Sequence, residues 1–276
     1  MKIKVSHEVP LQLLNDSKQF NDYDYCLPHL LDIHPKYEAY FRQAKKEGRY
    51  IIMDNSLHEL GEAYNTKRLI YWVNELKPNE FIVPDVWENS VHSIRNAKEW
   101  SKIELPKEVT KVAVVQGKSY TEFASGYQSY KWFGYEKIAF SYGASWFVEC
   151  FQHPNLYIAK MMGRLKTITN LRKYNIISDM DRVHLLGCNV PQEYLYYKDF
   201  PFIETIDTSN PVIHGLEGIR YSEGGLLHKS NQKIDKDFTQ TVTPKQKEDI
   251  LYNVEFNFTY YNSLLFSIYL LCVEGP

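Results

Sequence analysis

The stretch KVAVVQGKSYTEFASGYQSYKWFGYEKIAFSYG (111–143) reads as strand, helix and strand. Its two ends, KVAVVQG (111–117) and EKIAFSYG (136–143), are short runs rich in β-branched or aromatic residues. Strands buried on both faces of a sheet need that composition. Between them, SYTEFASGYQSYKWFG (119–134) spaces apolar residues three or four apart and closes on Gly134, which predicts a helix. A helix between two such strands sets them parallel, because parallel neighbours need a long crossover rather than a tight turn.

The alternation continues in both directions. KIKVSH (2–7), YDYCLPHLL (23–31), YIIMDN (50–55) and FIVPDV (81–86) precede the unit, and RVHLLGC (182–188) and FIETIDT (202–208) follow it. HPKYEAYFRQAKKEG, TKRLIYWVNEL and ENSVHSIRNAKEWSKI supply further helical segments. Eight strands alternating with helices predict the α/β class. A closed (β/α)8 TIM barrel and an open doubly wound sheet both satisfy the pattern. The count of eight and the lack of any GxGxxG or GxxxxGK[ST] favour the barrel. One catalytic domain is expected over 1–276, loop-rich from about 210 to 243, with a closing helix over 244–276. That last segment holds the most apolar run, NSLLFSIYLLCV (262–273), shorter than the ~20 residues of a membrane span.

Composition narrows the class further. Of 276 residues, 44% are apolar and 24% charged, which excludes a disordered chain. The net charge of -2 excludes a globally basic nucleic-acid binder but not a local basic stripe. Four scattered cysteines without a CxxC, and an N-terminus without an apolar leader, predict a reduced, cytoplasmic setting. For a viral protein that would be the host cytoplasm. A homodimer stays open.

Barrel enzymes place reactive side chains where strands end and loops begin. Those positions hold Asp54, Asp85, Gln116, Tyr142-Gly143 and Asp207. An Asp after a strand often caps the next helix, and Gly117 and Gly143 read most simply as turn residues. Three carboxylates together at apolar strand ends weaken the capping explanation. Paired carboxylates support displacement at an anomeric carbon, one attacking C1′ and the other handling the leaving group's proton. A further carboxylate with an amide suits a purine edge, the carboxylate accepting from guanine N1–H and its amine, the amide donating to O6.

In this order the motifs resemble those of the tRNA-guanine transglycosylase family. The likeness is greatest to its phage and bacterial DNA-modifying relatives, which insert 7-deazaguanine bases. IIMDNS (51–56) resembles the family's strand ending in the general acid/base Asp, with Asn55 next to it. FIVPDV resembles the strand ending in the base-recognising Asp, and VVQG (114–117) its Val-Gln-Gly element. FGYEKIAFSYGA (133–144) sits where the family has a Gly-Gly-Leu turn over the base. VHLLGCNVPQEY (183–194) is similar to its Leu-Met-Gly-x-Gly-x-Pro segment, and IETIDTSNP (203–211) to the strand carrying the nucleophilic Asp. The resemblance implies Asp207 as nucleophile, Asp54 as general acid/base, and a base site of Asp85, Gln116, Asn55, Tyr142 and Gly143. It implies guanine in DNA and a free 7-deazaguanine such as the 7-cyano base as substrates, restriction evasion by a phage as the setting, and no metal or organic cofactor.

The departures bear on the polymer. Only Cys272 follows residue 188, so the zinc site of the tRNA-acting members cannot be built, and Val212-Ile213 replace their Thr-Arg pair. A tRNA enzyme, a nucleoside or glycoside hydrolase and a non-catalytic nucleic-acid-binding homologue are the alternatives. Lys160, Arg164, Lys166, Arg172 and Lys173, with no acidic residue among them from 157 to 177, suggest a phosphate-binding face or simply a solvated helix. Tyr64, Phe140 or Tyr142 would stack on the base. His58-Glu59, lacking an HExxH, reads as a surface pair at a helix start.

Overall fold

The computed structural model describes residues 3–223, 234–235 and 237–260. Its strands are β1 (Lys4–His7), β2 (Asp24–Cys26), β3 (Ile51–Met53), β4 (Glu80–Ile82), β5 (Thr110–Val115), β6 (Lys137–Phe140), β7 (Arg182–Leu185) and β8 (Ile203–Thr208). Its α-helices begin with α1 (Leu14–Ser17), α2 (Pro28–Ile33), α3 (Pro35–Lys46), α4 (Leu57–Leu60), α5 (Thr66–Leu76) and α6 (Ser90–Ser101). They continue with α7 (Tyr120–Trp132), α8 (Ser145–Cys150), α9 (Leu156–Lys173), α10 (Asn210–Leu216) and α11 (Pro244–Tyr260).

The strands form one parallel sheet in the order β1-β8-β7-β6-β5-β4-β3-β2, a nearly closed (β/α)8 TIM-barrel fold. Asp22 bridges the seam between β1 and β2. Its N–H donates to the Val5 carbonyl at 3.0 Å, and its carboxylate accepts the Val5 N–H at 2.9 Å.

Local chemistry sets several boundaries. YDYCLPHLL stops being a strand at Cys26, because Pro28 lacks an N–H for the ladder and instead opens α2. Asn65 starts α5 by accepting the Lys67 and Arg68 N–H groups. The expected loop from 210 is helical over its first seven residues, where Pro211 sits in the first turn of α10 and every residue is buried. The closing helix begins at Pro244 as expected, but residues 261–276, with the apolar run, lie outside the described residues.

Period-2 alternation divides each strand between lumen and helices. Phe140 faces out, stacked on Phe123 and Tyr127 of α7, while its neighbours in β6 turn inward. Lys137 meets Glu80 inside the barrel at 2.8 Å, both fully buried, and Arg182 and Tyr50 add hydrogen bonds to the same carboxylate. Above this charged layer sit Tyr25 and His184, their rings stacked across the lumen at 6.0 Å. At the strand C-termini the lumen opens into a cavity. Outside, α8 and α9 pack so closely that a Cβ at Gly163 would lie 1.9 Å from the Phe147 carbonyl oxygen.

Candidate active site

A cavity of about 440 Å³ opens at the C-terminal ends of the strands, within the size range of small-molecule sites. Followed from β3 round to β8, its wall presents Asp54, Asp85, Gln116, Ser141, Gly187 and Asp207. Each is supplied by a different strand end.

Asp54 is buried, with both oxygens engaged. Oδ1 accepts the Tyr25 hydroxyl at 2.9 Å and Oδ2 the Ser56 N–H at 2.8 Å. The second bond is a local turn contact of the kind expected of a capping Asp, so Asp54 shapes its own loop while facing the cavity. Ser56 itself is left-handed (φ 58°), a conformation costing a non-glycine residue roughly 1–2 kcal/mol. Its hydroxyl lies 2.8 Å from His29 Nδ1. Asp85 and Asp207 cap nothing. The helices after them are entered through Asn89 and Ser209.

Asp207 is 5% exposed, and its Oδ2 accepts the Gly187 N–H at 3.2 Å. Burial, then the negative charge of Asp54, pushes its carboxyl up to about 7. Burial also raises Asp54, against the hydrogen bonds from Tyr25 and Ser56. Two buried carboxyl groups that resist simultaneous ionisation favour a state with one proton between them. One member is then ionised and nucleophilic while the other is a proton donor.

The second cluster is a fixed acceptor. Asp85 Oδ1 accepts from Asn55 Nδ2 and Oδ2 from Gln116 Nε2, both at 2.7 Å. Asn55 also donates to the Val83 carbonyl, and Gln116 Oε1 accepts the Glu88 N–H, so neither amide can flip without losing a bond. Each Asp85 oxygen keeps a lone pair and Gln116 Nε2 keeps a proton, enough to meet a donor–donor–acceptor edge. Burial lifts Asp85 to about 6, against these two amide bonds.

Among the proposed stacking rings, only Tyr142 lines the cavity. Phe140 is committed to the helix side, and the Tyr64 hydroxyl is bonded to Asp32 on the outer surface. Tyr142 lies on Gly187 (φ 65°), where a Cβ would approach its ring to 2.5 Å, and its carbonyl accepts from Asn189 Nδ2. Gly143 is more than a turn residue: a Cβ there would meet the Trp87 indole at 2.8 Å. The sequence reading missed Glu8, Tyr25, Trp87 and Cys188 as cavity residues, while Ser141, which with Tyr142 stands at the Gly-Gly of the family's turn over the base, lines the cavity. His58 and Glu59 do open a short helix as read, with His58 exposed, but both also line the cavity. Burial raises the Glu59 carboxyl well above its usual range, and the charges of Glu8 and Asp54 add to this.

The basic stretch does not form one face. Lys160 reaches the cavity wall, but Arg164 is fully buried and cannot meet a phosphate. Its guanidinium donates to Glu193 at 2.7 Å and to the carbonyls of Leu186 and Gly187 at 3.0 and 2.7 Å. Burying that charge requires such partners. Lys166 donates to the Cys150 carbonyl, Arg172 pairs with Asp179, and Lys173 lies over the Tyr174 ring. Arg172 and Lys173 end α9, about 18 Å along the helix from Lys160, where cations favour the helix dipole.

Among the described residues, no three His, Cys, Asp or Glu side chains group as a metal set, and no helix is long and apolar enough to cross a membrane. Neither protein-family models nor curated proteins compared with the chain give a match.

Proposed function

We propose that the protein is a base-exchange transglycosylase that replaces guanine in DNA with a 7-deazaguanine through a covalent sugar–Asp207 ester. The observation that carries this reading is one cavity holding both a pair of buried carboxyl groups, Asp54 and Asp207, and a locked purine-edge acceptor, Asp85 with Gln116.

The target nucleotide leaves the stack, since its C1′ is out of reach inside a duplex. Asp85 accepts from N1–H and the 2-amino group, and Gln116 donates to O6. Ionised Asp207 attacks C1′, the C1′–N9 bond pair passes to the base, and the Asp54 proton neutralises the departing guanine. An incoming 7-deazaguanine takes the vacated place. Asp54 removes its N9 proton, N9 attacks C1′, and the ester bond pair returns to Asp207. Two inversions give retention.

DNA rather than tRNA is supported at α10. Val212 and Ile213, where tRNA-acting relatives carry Thr-Arg, are buried in the core and offer no polar group to a polymer. Lys160, at the cavity wall, is the phosphate contact in this reading.

Incubating the protein with guanine-containing DNA and labelled guanine tests the proposal. Label entering the DNA supports exchange. Release of free base alone would mean water is the acceptor and the protein a hydrolase. Nucleoside mass spectrometry of DNA from expressing cells supplied with 7-cyano-7-deazaguanine then checks the incoming base.

A further inference from the structure

Ser141 is the one member of the cavity ring to which the chemistry above gives no task. It is 3% exposed and lines the cavity, and its hydroxyl has no hydrogen-bond partner among the described residues. A buried hydroxyl without a partner costs free energy unless something else fills the role. Strand parity explains its direction. Lys137 points into the lumen and Phe140 points out, so the next residue, Ser141, turns inward again at the cavity floor.

The order of strands assigns the missing partner, provided the exchange reading holds. Asp85 on β4 faces the N1 and 2-amino edge, Gln116 on β5 faces O6, and Asp207 on β8 faces C1′ next to N9. Going round the purine from O6 to N9, the positions passed are 7 and then 8. Going round the barrel from β5 to β8, the strand ends passed are Ser141 on β6 and Leu186-Gly187 on β7. The two sequences coincide. Position 8 carries only a C–H and meets Leu186, whereas position 7 of guanine is a hydrogen-bond acceptor and meets a hydroxyl.

We infer that Ser141 is a specificity-determining residue which donates to N7 of guanine, the atom by which the departing base differs from a 7-deazaguanine. The hydroxyl then holds guanine in place for departure and offers nothing to a plain C7–H. Return of the released guanine and entry of the deaza base are thereby treated differently by a single atom.

The test measures incorporation of free guanine and of unsubstituted 7-deazaguanine into the same DNA by wild type and Ser141→Ala. The quantity read is the ratio of the two kcat/KM values. Both rates come from one protein sample, so any loss of folded protein cancels. Loss of one hydrogen bond to N7 is expected to lower the guanine to 7-deazaguanine ratio about tenfold in Ser141→Ala. Ser141→Thr, which keeps a hydroxyl, should keep the ratio within about threefold of wild type on the same scale. An unchanged ratio in an exchanging Ser141→Ala protein overturns the inference alone. A wild-type protein that incorporates neither base overturns the exchange reading and this inference with it.

Discussion

His184 Nε2 lies 3.1 Å from Asp207 Oδ1, beneath the proposed nucleophile and away from solvent. Burial, reinforced by the charge of Lys137 below, pushes the imidazole down to about 3, so the contact joins a neutral ring to a carboxyl group rather than two ions. The other ring nitrogen, Nδ1, is 2.8 Å from the Thr205 hydroxyl. Nε2 and Asp207 Oδ1 are not aligned for a hydrogen bond, so their contact is dipolar: when Asp207 is ionised, the favoured tautomer carries its proton on Nε2, with Thr205 donating to Nδ1. Thr205 thus orients the His184 ring beside the carboxylate that attacks C1′.

Replacing His184 with Phe keeps the ring and removes the N–H. Ionised Asp207 then loses the adjacent N–H dipole, so the acid limb of the kcat/KM profile for exchange should move to higher pH. The rate at neutral pH should fall by up to about tenfold, since an unaligned N–H is worth no more than one net hydrogen bond. His184→Gln, with an amide N–H, should recover part of both changes. A variant that merely loosened the barrel would lower the rate without moving the limb.

The Asp207 carboxyl is also a stability liability. Its folded value of about 7 stands above the ordinary 3.8. Below the ordinary value both folded and unfolded chains are protonated. Through the window from there to about 7 the folded chain alone keeps its proton, and stability falls as pH rises. Asp207→Asn should therefore melt higher than wild type at pH 8, by up to about 4 kcal/mol in unfolding free energy, with the gain vanishing near pH 4. The same variant should form no covalent adduct with DNA. Equal melting at both pH values would contradict the burial cost.

Asp85 answers to acid in the opposite sense. With its carboxyl at about 6, protonation below that pH removes an acceptor needed by the guanine edge. Affinity for free 7-deazaguanine, measured by calorimetry, should weaken as pH drops from 7 to 5. Asp85→Ala should weaken it about a hundredfold at pH 7, since two bonds to a carboxylate are lost. Unchanged affinity would remove Asp85 from base recognition.

What the sequence disclosed about the site follows strand parity. Gln116 continues the inward row of β5, and Asp54, Asp85 and Asp207 end apolar runs, so all four could be placed from one chain. Parity also separates Phe140 from Ser141, and of the three rings left open for stacking it removes Phe140, while Tyr142 lines the cavity. The cavity position of His58 and Glu59 was hidden for another reason. The short α4 follows a left-handed turn at Ser56, and a serine does not announce one. Trp87 comes to the rim because Gly143 leaves room, a contact 56 residues apart with no local signal.

Arg164 shows the limit of reading charge from spacing, and supplies the sharpest separation of roles. Its partner Glu193 lies 29 residues on and also accepts the Asn189 N–H at 2.8 Å and the Tyr197 hydroxyl at 3.2 Å. Through the Leu186 and Gly187 carbonyls, Arg164 holds the loop whose N–H meets Asp207. Arg164→Met strands a buried carboxylate and should cost about 3–5 kcal/mol in urea unfolding. Arg164→Met combined with Glu193→Leu should recover much of that loss, because no buried charge is left unpaired. A phosphate contact behaves otherwise. Lys160→Ala should leave unfolding nearly unchanged and reduce the slope of log DNA affinity against log salt by about 0.9, while folded Arg164→Met keeps the wild-type slope. If Arg164→Met lost slope and kept stability, the buried pairing would be wrong and the basic stretch would be a DNA face after all.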